Sequence, residues 1–431
     1  MHPRLPRIAG SWAPALCALP IAVSVAAFAV AAGRSVVTGL GLDYPGDAGP
    51  PIAALADGDL AGFAGRQALM GSLSLLIRAP FAALVPAGNV DAQYAVGLLP
   101  CLAVVLLAAF ALRREAERRW GRAPGAGLIV VFSLLGAPAL EAVVYGHPEE
   151  PLGAALIVGA VLAAVRRHGV LAGLLLGLAL ATKQWAAFAV LPVLLACGGF
   201  RVRALAVAAV TALALTVPLA IANRDQFGAI QQTALNSPAV GTPVSLWAPF
   251  SAIDPTGGWG GFQTRLTPPD LAVPLAKPLM VLWTLLLVAA FVRARRPRED
   301  ALALLALVFL GRCALDPVDN VYYHAPFVTA LLAWEALRSP RPPWLTATST
   351  GVLALIALSM RVGPHDPSLV TVVYLAWAAA LTAVVITLTL GIPHGLRRRL
   401  PLPAAGEPLL AAPALRSPTV AATRSGPAHH P

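Results

Sequence analysis

Apolar runs of membrane-spanning length recur along this chain of 431 residues, and arginine collects in every second connection between them. A helix needs about 20 apolar residues to cross the hydrocarbon core, with about 17 as the lower limit. The runs 13–33, 91–112, 125–144, 203–222, 344–360 and 368–390 reach that length. Several others are shorter or broken. The side chains are 58% hydrophobic and only 12% charged, and the mean hydropathy is +0.75, outside the usage of soluble domains. The chain is therefore expected to be an all-α polytopic membrane bundle.

The net charge of +11 raises the question of a nucleic-acid partner, and its distribution answers it. Arginines lie in short connections: Arg113, Arg114, Arg118, Arg119 and Arg122; Arg166 and Arg167; Arg201 and Arg203; 293–298; Arg338 and Arg341; 397–399. Acidic residues lie in the alternate ones: 43–59, Glu149 and Glu150, 225–270, Asp316 and Asp319, and Asp366. The positive-inside rule makes the first set cytoplasmic and the second external. No nucleic-acid surface is expected.

Following the chain tests that alternation. The N-terminus, with Arg4 and Arg7, starts inside, and the run 13–33 reads as an uncleaved first helix. The loop 34–90 is then external. It holds an apolar piece, 69–85, containing Arg78 and Pro80. A full span there would invert every later arginine connection, so this piece is expected to lie on the outer interface or to re-enter it. Between His168 and Arg201 both ends must be inside, which predicts two short helices, 169–181 and 186–197, turned near Lys183. Outward and inward spans then alternate around a second external loop, 223–274. The expected architecture is a transmembrane domain over 1–390 with about twelve helices, N- and C-termini cytoplasmic, and a disordered cytoplasmic tail over 391–431.

Ionisable groups interrupt the apolar runs at few places, and each costs several kcal/mol at membrane depth unless it faces a partner or a cavity. Glu141 sits inside a run; Gly146-His147-Pro148-Glu149-Glu150 separates two; Lys183-Gln184-Trp185 breaks another. Lys183 and Lys277 are the only lysines among 31 basic residues, so routine positive charge is written as arginine and Lys183 is not routine. A compact ammonium suits a single phosphate oxygen or carboxylate. In the first external loop, Asp43 and Asp47 stand among Pro45, Pro50 and Pro51, which stiffen the segment, while Asp57-Gly58-Asp59 reads as a turn. A carboxylate held there can take a proton from a hydroxyl or coordinate a divalent cation. A second polar concentration, GRCALDPVDNVYYHAPF, carries Arg312 and Asp316 four residues apart, an expected ion pair, then Asp319 and His324. Tyr322 and Tyr323 read as interfacial belt residues. Cys17, Cys101, Cys197 and Cys313 show no metal-ligand spacing and read as small buried hydrophobes.

An aspartate soon after the first span, a Gly-Asp after it, an interfacial helix, a polar break after the third span and a short helical pair broken by lysine resemble the GT-C class of membrane glycosyltransferases. The segment RRHGVLAGLLLGLALATKQWAAFAVLPVLL most resembles the polyprenyl-phosphate-mannose-dependent mannosyltransferases of actinobacteria. That resemblance implies a bacterial plasma-membrane enzyme that moves a mannose-like sugar from a polyprenyl-phosphate donor to an envelope glycolipid or glycan on the outer face. It places the catalytic base on Asp43 or Asp47, without separating them, and the donor-phosphate cation on Lys183, aided by Arg78 or His147. Glu141, Glu149, Glu150, Gln184, Arg312, Asp316, Asp319 and His324 would line the same polar cavity. Where the family often has Gly-Gln-x-Asn, this chain has Gly146-His147-Pro148-Glu149. No set of metal-ligand residues is expected from spacing, and a divalent cation is left open as a cofactor. The rival reading is a secondary transporter in which Glu141, His147, Glu149 and Lys183 form an intramembrane relay.

Overall fold

The structure is a computed structural model that describes residues 41–68, 70–86, 88–121, 125–236, 241–254, 265–362 and 367–391. The expected first span at 13–33 lies outside the described residues, as do Cys17, Asp366, Trp259 and the tail beyond Gly391.

Helices account for nearly all of the described chain. After α1 (Gly49–Ala56), α2 (Leu60–Gly65) and α3 (Ser72–Ala82) come α4 (Val90–Trp120), α5 (Ala126–Leu135) and α6 (Ala137–Tyr145). Then follow α7 (Glu149–Val165), α8 (Gly169–Leu180), a 3₁₀ turn (Gln184–Ala189), α9 (Val190–Cys197), α10 (Arg201–Ala222) and α11 (Arg224–Asn236). A two-stranded antiparallel ribbon, β1 (Ala252–Asp254) with β2 (Arg265–Thr267), pairs Ala252 with Thr267. The chain closes with α12 (Ala272–Arg293), α13 (Ala301–Leu315), α14 (Ala325–Arg338), α15 (Trp344–Val362) and α16 (Pro367–Leu390).

Among the described residues, five helical stretches are long and apolar enough to cross a membrane: Val90–Trp120, Ala126–Tyr145, Gln184–Ala222, Ala272–Arg293 and Pro367–Leu390. The apolar piece of the first loop forms α3, whose 11 residues span only about 16 Å and cannot cross. The expected pair of short helices is present as α8 and the 3₁₀–α9 unit, parted at Ala181–Lys183.

The packing follows from how apolarity is distributed around each helix. α7, α13 and α14 are apolar on all sides and almost every residue on them is buried, so they form the centre of the bundle. α4, α10, α12 and α16 bury one stripe and expose large aliphatics such as Leu107, Val210, Leu286 and Val372. Exposed apolar surface of that extent suits contact with lipid.

The connections sort onto two ends of the bundle. At one end Arg166 pairs with Glu115, Arg119 lies 3.6 Å from Glu299, and the Trp120 indole donates to the Ala336 carbonyl at 3.2 Å. At the other end lie the first loop, the connection 146–148, the break at Lys183 and the connection 316–320. Among the described residues, the arginine connections that hold Arg119, Arg166 and Glu299 thus share one end.

Candidate active site

Local backbone rules bring the first loop onto the end of α6. That helix stops at Gly146 in the left-handed conformation, φ +95°, where a Cβ would stand 3.0 Å from the Tyr44 nitrogen. The turn at 41–43 therefore lies directly on the helix end. Gly41 and Leu42 donate to the Val144 carbonyl at 2.9 and 3.0 Å, and Asp43 donates to that of Tyr145 at 2.9 Å. A parallel device fixes the lysine. Gly71 donates to the Thr182 carbonyl at 2.9 Å and Leu73 to that of Ala181 at 3.0 Å, an approach so close that a Cβ on Gly71 would lie 2.1 Å from the Ala181 oxygen.

These two fixings assemble a continuous chain of ionisable side chains. The Asp43 carboxylate lies 3.2 Å from His147 Nε2; His147 Nδ1 lies 2.8 Å from Glu149 Oε1; Lys183 Nζ donates to that same oxygen at 2.9 Å. Lys183 also stands 3.3 Å from Glu150 Oε1. Asp43 is 41% exposed while Glu149 and Glu150 are 0% exposed, so the chain runs from solvent into the bundle. Burial opposes protonation of the His147 ring, but the charge of Glu149 and the hydrogen bonds to Asp43 and Glu149 outweigh it and raise the pKa to about 9. His147 is accordingly an imidazolium at neutral pH, donating to a carboxylate on each side.

Arg78, on α3, is fully buried beside this chain. Its guanidinium stands 5.0 Å from the Tyr44 ring centroid and 5.7 Å from that of Tyr94, and its three nitrogens have no hydrogen-bond partner among the described residues. Cation–π contact and attraction to Glu149 take the place of hydrogen bonds.

The late polar stretch closes the far side. Arg312 makes the expected pair with Asp316, at 3.7 Å, and lies 4.7 Å over the Tyr323 ring. Glu150 acts electrostatically on both Arg312 and Tyr323, which joins the two groups. Asp319 is fully buried, 3.5 Å from His324 Nε2, and burial pushes its carboxyl well above the usual range. The connection before α12 packs here too: Trp247 donates to the Leu315 carbonyl at 2.8 Å and Ser245 to that of Asp316 at 2.7 Å.

Of the residues singled out from sequence, Asp43, His147, Glu149, Glu150 and Lys183 form one chain, with Arg78 and Arg312 against it. Asp43 meets His147, whereas Asp47 lies one turn on and is half-buried, its amide donating to the Asp43 carbonyl at 3.0 Å. Glu141 is buried on α6, and Gln184 is exposed. One expectation is corrected. Tyr322 and Tyr323 are not belt residues: Tyr322 is 4% exposed and stacks on His147 at 4.9 Å, because the 3₁₀ turn Val321–His324 folds inward over α6. Cys313 is free and buried, as expected, and lies with Asp319 and His324 in a set whose donor atoms are all within 4.8 Å of one another. The turn 316–320 carries Asp319 back over the end of α13, which linear spacing could not show.

Tyr44 and Tyr94 went unnoticed in the sequence. The signal was available. The chain has six tyrosines, at 44, 94, 145, 322, 323 and 374, and ring contacts tie each of them into this end of the bundle. A bilayer belt would have spread them over both ends.

The fold and this buried chain define a multi-pass membrane protein of the enzyme kind, with ionisable groups concentrated at one end of an apolar bundle. The chain belongs to glycosyltransferase family 87, whose model matches residues 71–315, more than half of it. It is thus a membrane glycosyltransferase of the GT-C type, as its motifs led one to expect. The match takes in Arg78, Glu141, the 146–150 break, Lys183 and Arg312, and leaves Asp43, Asp47, Asp319 and His324 outside it. No curated protein matches the chain.

Proposed function

We propose that this glycosyltransferase moves a mannose-like sugar from a polyprenyl-phosphate donor to a glycolipid or glycan acceptor on the outer face of a bacterial plasma membrane, with Asp43 as the general base. The observation that carries this reading is the Asp43–His147–Glu149–Lys183 chain. It holds a part-exposed carboxylate at its outer end and an ammonium at its inner end.

The acceptor hydroxyl gives its proton to the Asp43 carboxylate as its oxygen attacks the anomeric carbon. The bond from that carbon to the phosphate oxygen breaks, and its electron pair leaves with polyprenyl phosphate. The imidazolium of His147 holds the Asp43 carboxylate in place. Lys183, with Arg78 behind it, offsets the charge growing on the leaving phosphate, with Glu150 releasing the ammonium as the phosphate arrives. A lipid-linked donor suits a site reached from the bilayer, and the positive-inside bias of the arginine connections supports the outer face. A proton relay in a transporter would use similar groups, but the family membership favours transfer chemistry.

The test is transfer of label from polyprenyl-phosphate sugars in membranes, comparing wild type with Asp43→Asn, Asp47→Asn and Lys183→Ala. Loss in the first and third, with Asp47→Asn retained, is the expected pattern; equal labelling in all four rejects the assignment.

A further inference from the structure

The cluster at the end of α13 has features that the transfer chemistry does not use. Cys313, Asp319 and His324 are each 0% exposed and come from three places: the last turn of α13, the connection after it, and the end of the 3₁₀ turn before α14. Among the described residues neither Asp319 oxygen meets a full hydrogen bond, although the residue is wholly buried; His324 Nε2 stands 3.5 Å away. The Cys313 thiol, which donates to the Tyr323 carbonyl at 3.3 Å, also acts on this carboxyl as a weak partner. A wholly buried carboxyl so poorly satisfied is costly and calls for a stronger partner.

The ring of His324 is set as a metal-binding imidazole usually is. Its Nδ1 faces the Asn320 carbonyl at 3.4 Å, which takes the ring proton and leaves the Nε2 lone pair turned toward Asp319 and the Tyr374 hydroxyl, at 3.5 and 3.0 Å. Thiolate, imidazole and carboxylate together select a borderline-soft divalent ion over magnesium or calcium. Two anionic ligands also cancel the charge of such an ion, as a low-dielectric interior demands.

We infer that Cys313, Asp319 and His324 form a buried structural site for a zinc-class divalent ion. Tetrahedral bonds of about 2.0–2.3 Å put ligand atoms about 3.3–3.8 Å apart, so a set now within 4.8 Å closes by up to about 1.5 Å on binding. The ion displaces the thiol proton, and the carboxyl proton where present, to solvent. The Tyr323 carbonyl oxygen or a water completes the coordination. The bound ion would pin the 319–324 turn, and with it Tyr322 against His147. The inference stands on the cluster alone and does not depend on which sugar is moved.

The full-length protein in detergent, analysed for metal by mass spectrometry, is expected to carry about one zinc per chain. Stripped with chelator and reloaded with cobalt, it should show a thiolate-to-cobalt charge-transfer band. Cys313→Ser should abolish that band and weaken cobalt binding at least tenfold, and Asp319→Asn should weaken it similarly, while both variants elute as monodisperse protein. A monodisperse wild type that binds neither ion overturns the site. So does a band that persists in Cys313→Ser, because it would then arise at Cys17, Cys101 or Cys197.

Discussion

Replacing Glu149 with glutamine is the change that most directly interrogates the buried chain. The side chain keeps its shape but loses the charge that faces His147 Nδ1 at 2.8 Å and Lys183 Nζ at 2.9 Å. In the wild type the charge of Glu149 and the hydrogen bonds to Asp43 and Glu149 raise the His147 pKa from 6.5 to about 9. Such a rise corresponds to about 3 kcal/mol favouring the protonated folded state. A raised folded-state value means that this stability is fully present below pH 6.5 and is lost as pH climbs through 9. In Glu149→Gln the largest force raising the ring is gone, burial still lowers it, and only the part-exposed Asp43 supports the imidazolium. The His147 pKa should therefore fall by about two units or more. The assay has two arms: NMR titration of labelled histidine, with the His147 signal identified by its absence in His147→Gln, and thermal midpoints in detergent from pH 6 to 10. Wild type should lose stability between pH 6.5 and 9, and Glu149→Gln should be flat over that window and less stable below it. A His147 signal that still titrates near 9 in the variant, or parallel midpoint curves, would refute the electrostatic account.

Other outcomes follow from the same geometry. Asp43→Asn should lower labelled-sugar transfer by about 10²–10⁴-fold, as expected for loss of a general base, with Asp47→Asn changing it less than about tenfold. Lys183→Met strands the buried carboxylates of Glu149 and Glu150 and should destabilise the protein by about 3–5 kcal/mol, and adding Glu150→Gln should recover part of that loss in chemical unfolding. Gly146→Ala forces a side chain into a left-handed position against the Tyr44 backbone; a cost of about 1–2 kcal/mol in thermal stability and a matching fall in transfer are expected. Tyr322→Phe retains the ring stacked on His147 and should keep transfer, while Tyr322→Ala should lose it, as measured by initial rates in membranes.

How much of this was legible beforehand depended on how local the governing energy is. The membrane class and the break at Lys183 could be read from residues, because each span must be apolar on its own account and a charge within a run marks a site whatever surrounds it. The sorting of arginine connections onto one end followed from the same segment-by-segment rule. Which ionisable groups meet was not local. Asp43 and His147 are 104 residues apart, Lys183 and Glu149 are 34 apart, and His324 and Tyr374 are 50 apart, so their contacts depend on how the helices register against one another. That Asp43 rather than Asp47 meets His147 rests on a left-handed glycine at 146 that lets the first loop lie on the end of α6. Apolar patterning by itself determined that this chain is a helical membrane bundle with a few costly polar breaks. Only the tertiary structure decided that those breaks share one end and neutralise one another, since a pairing of buried charges exists only once packing has removed the water between them.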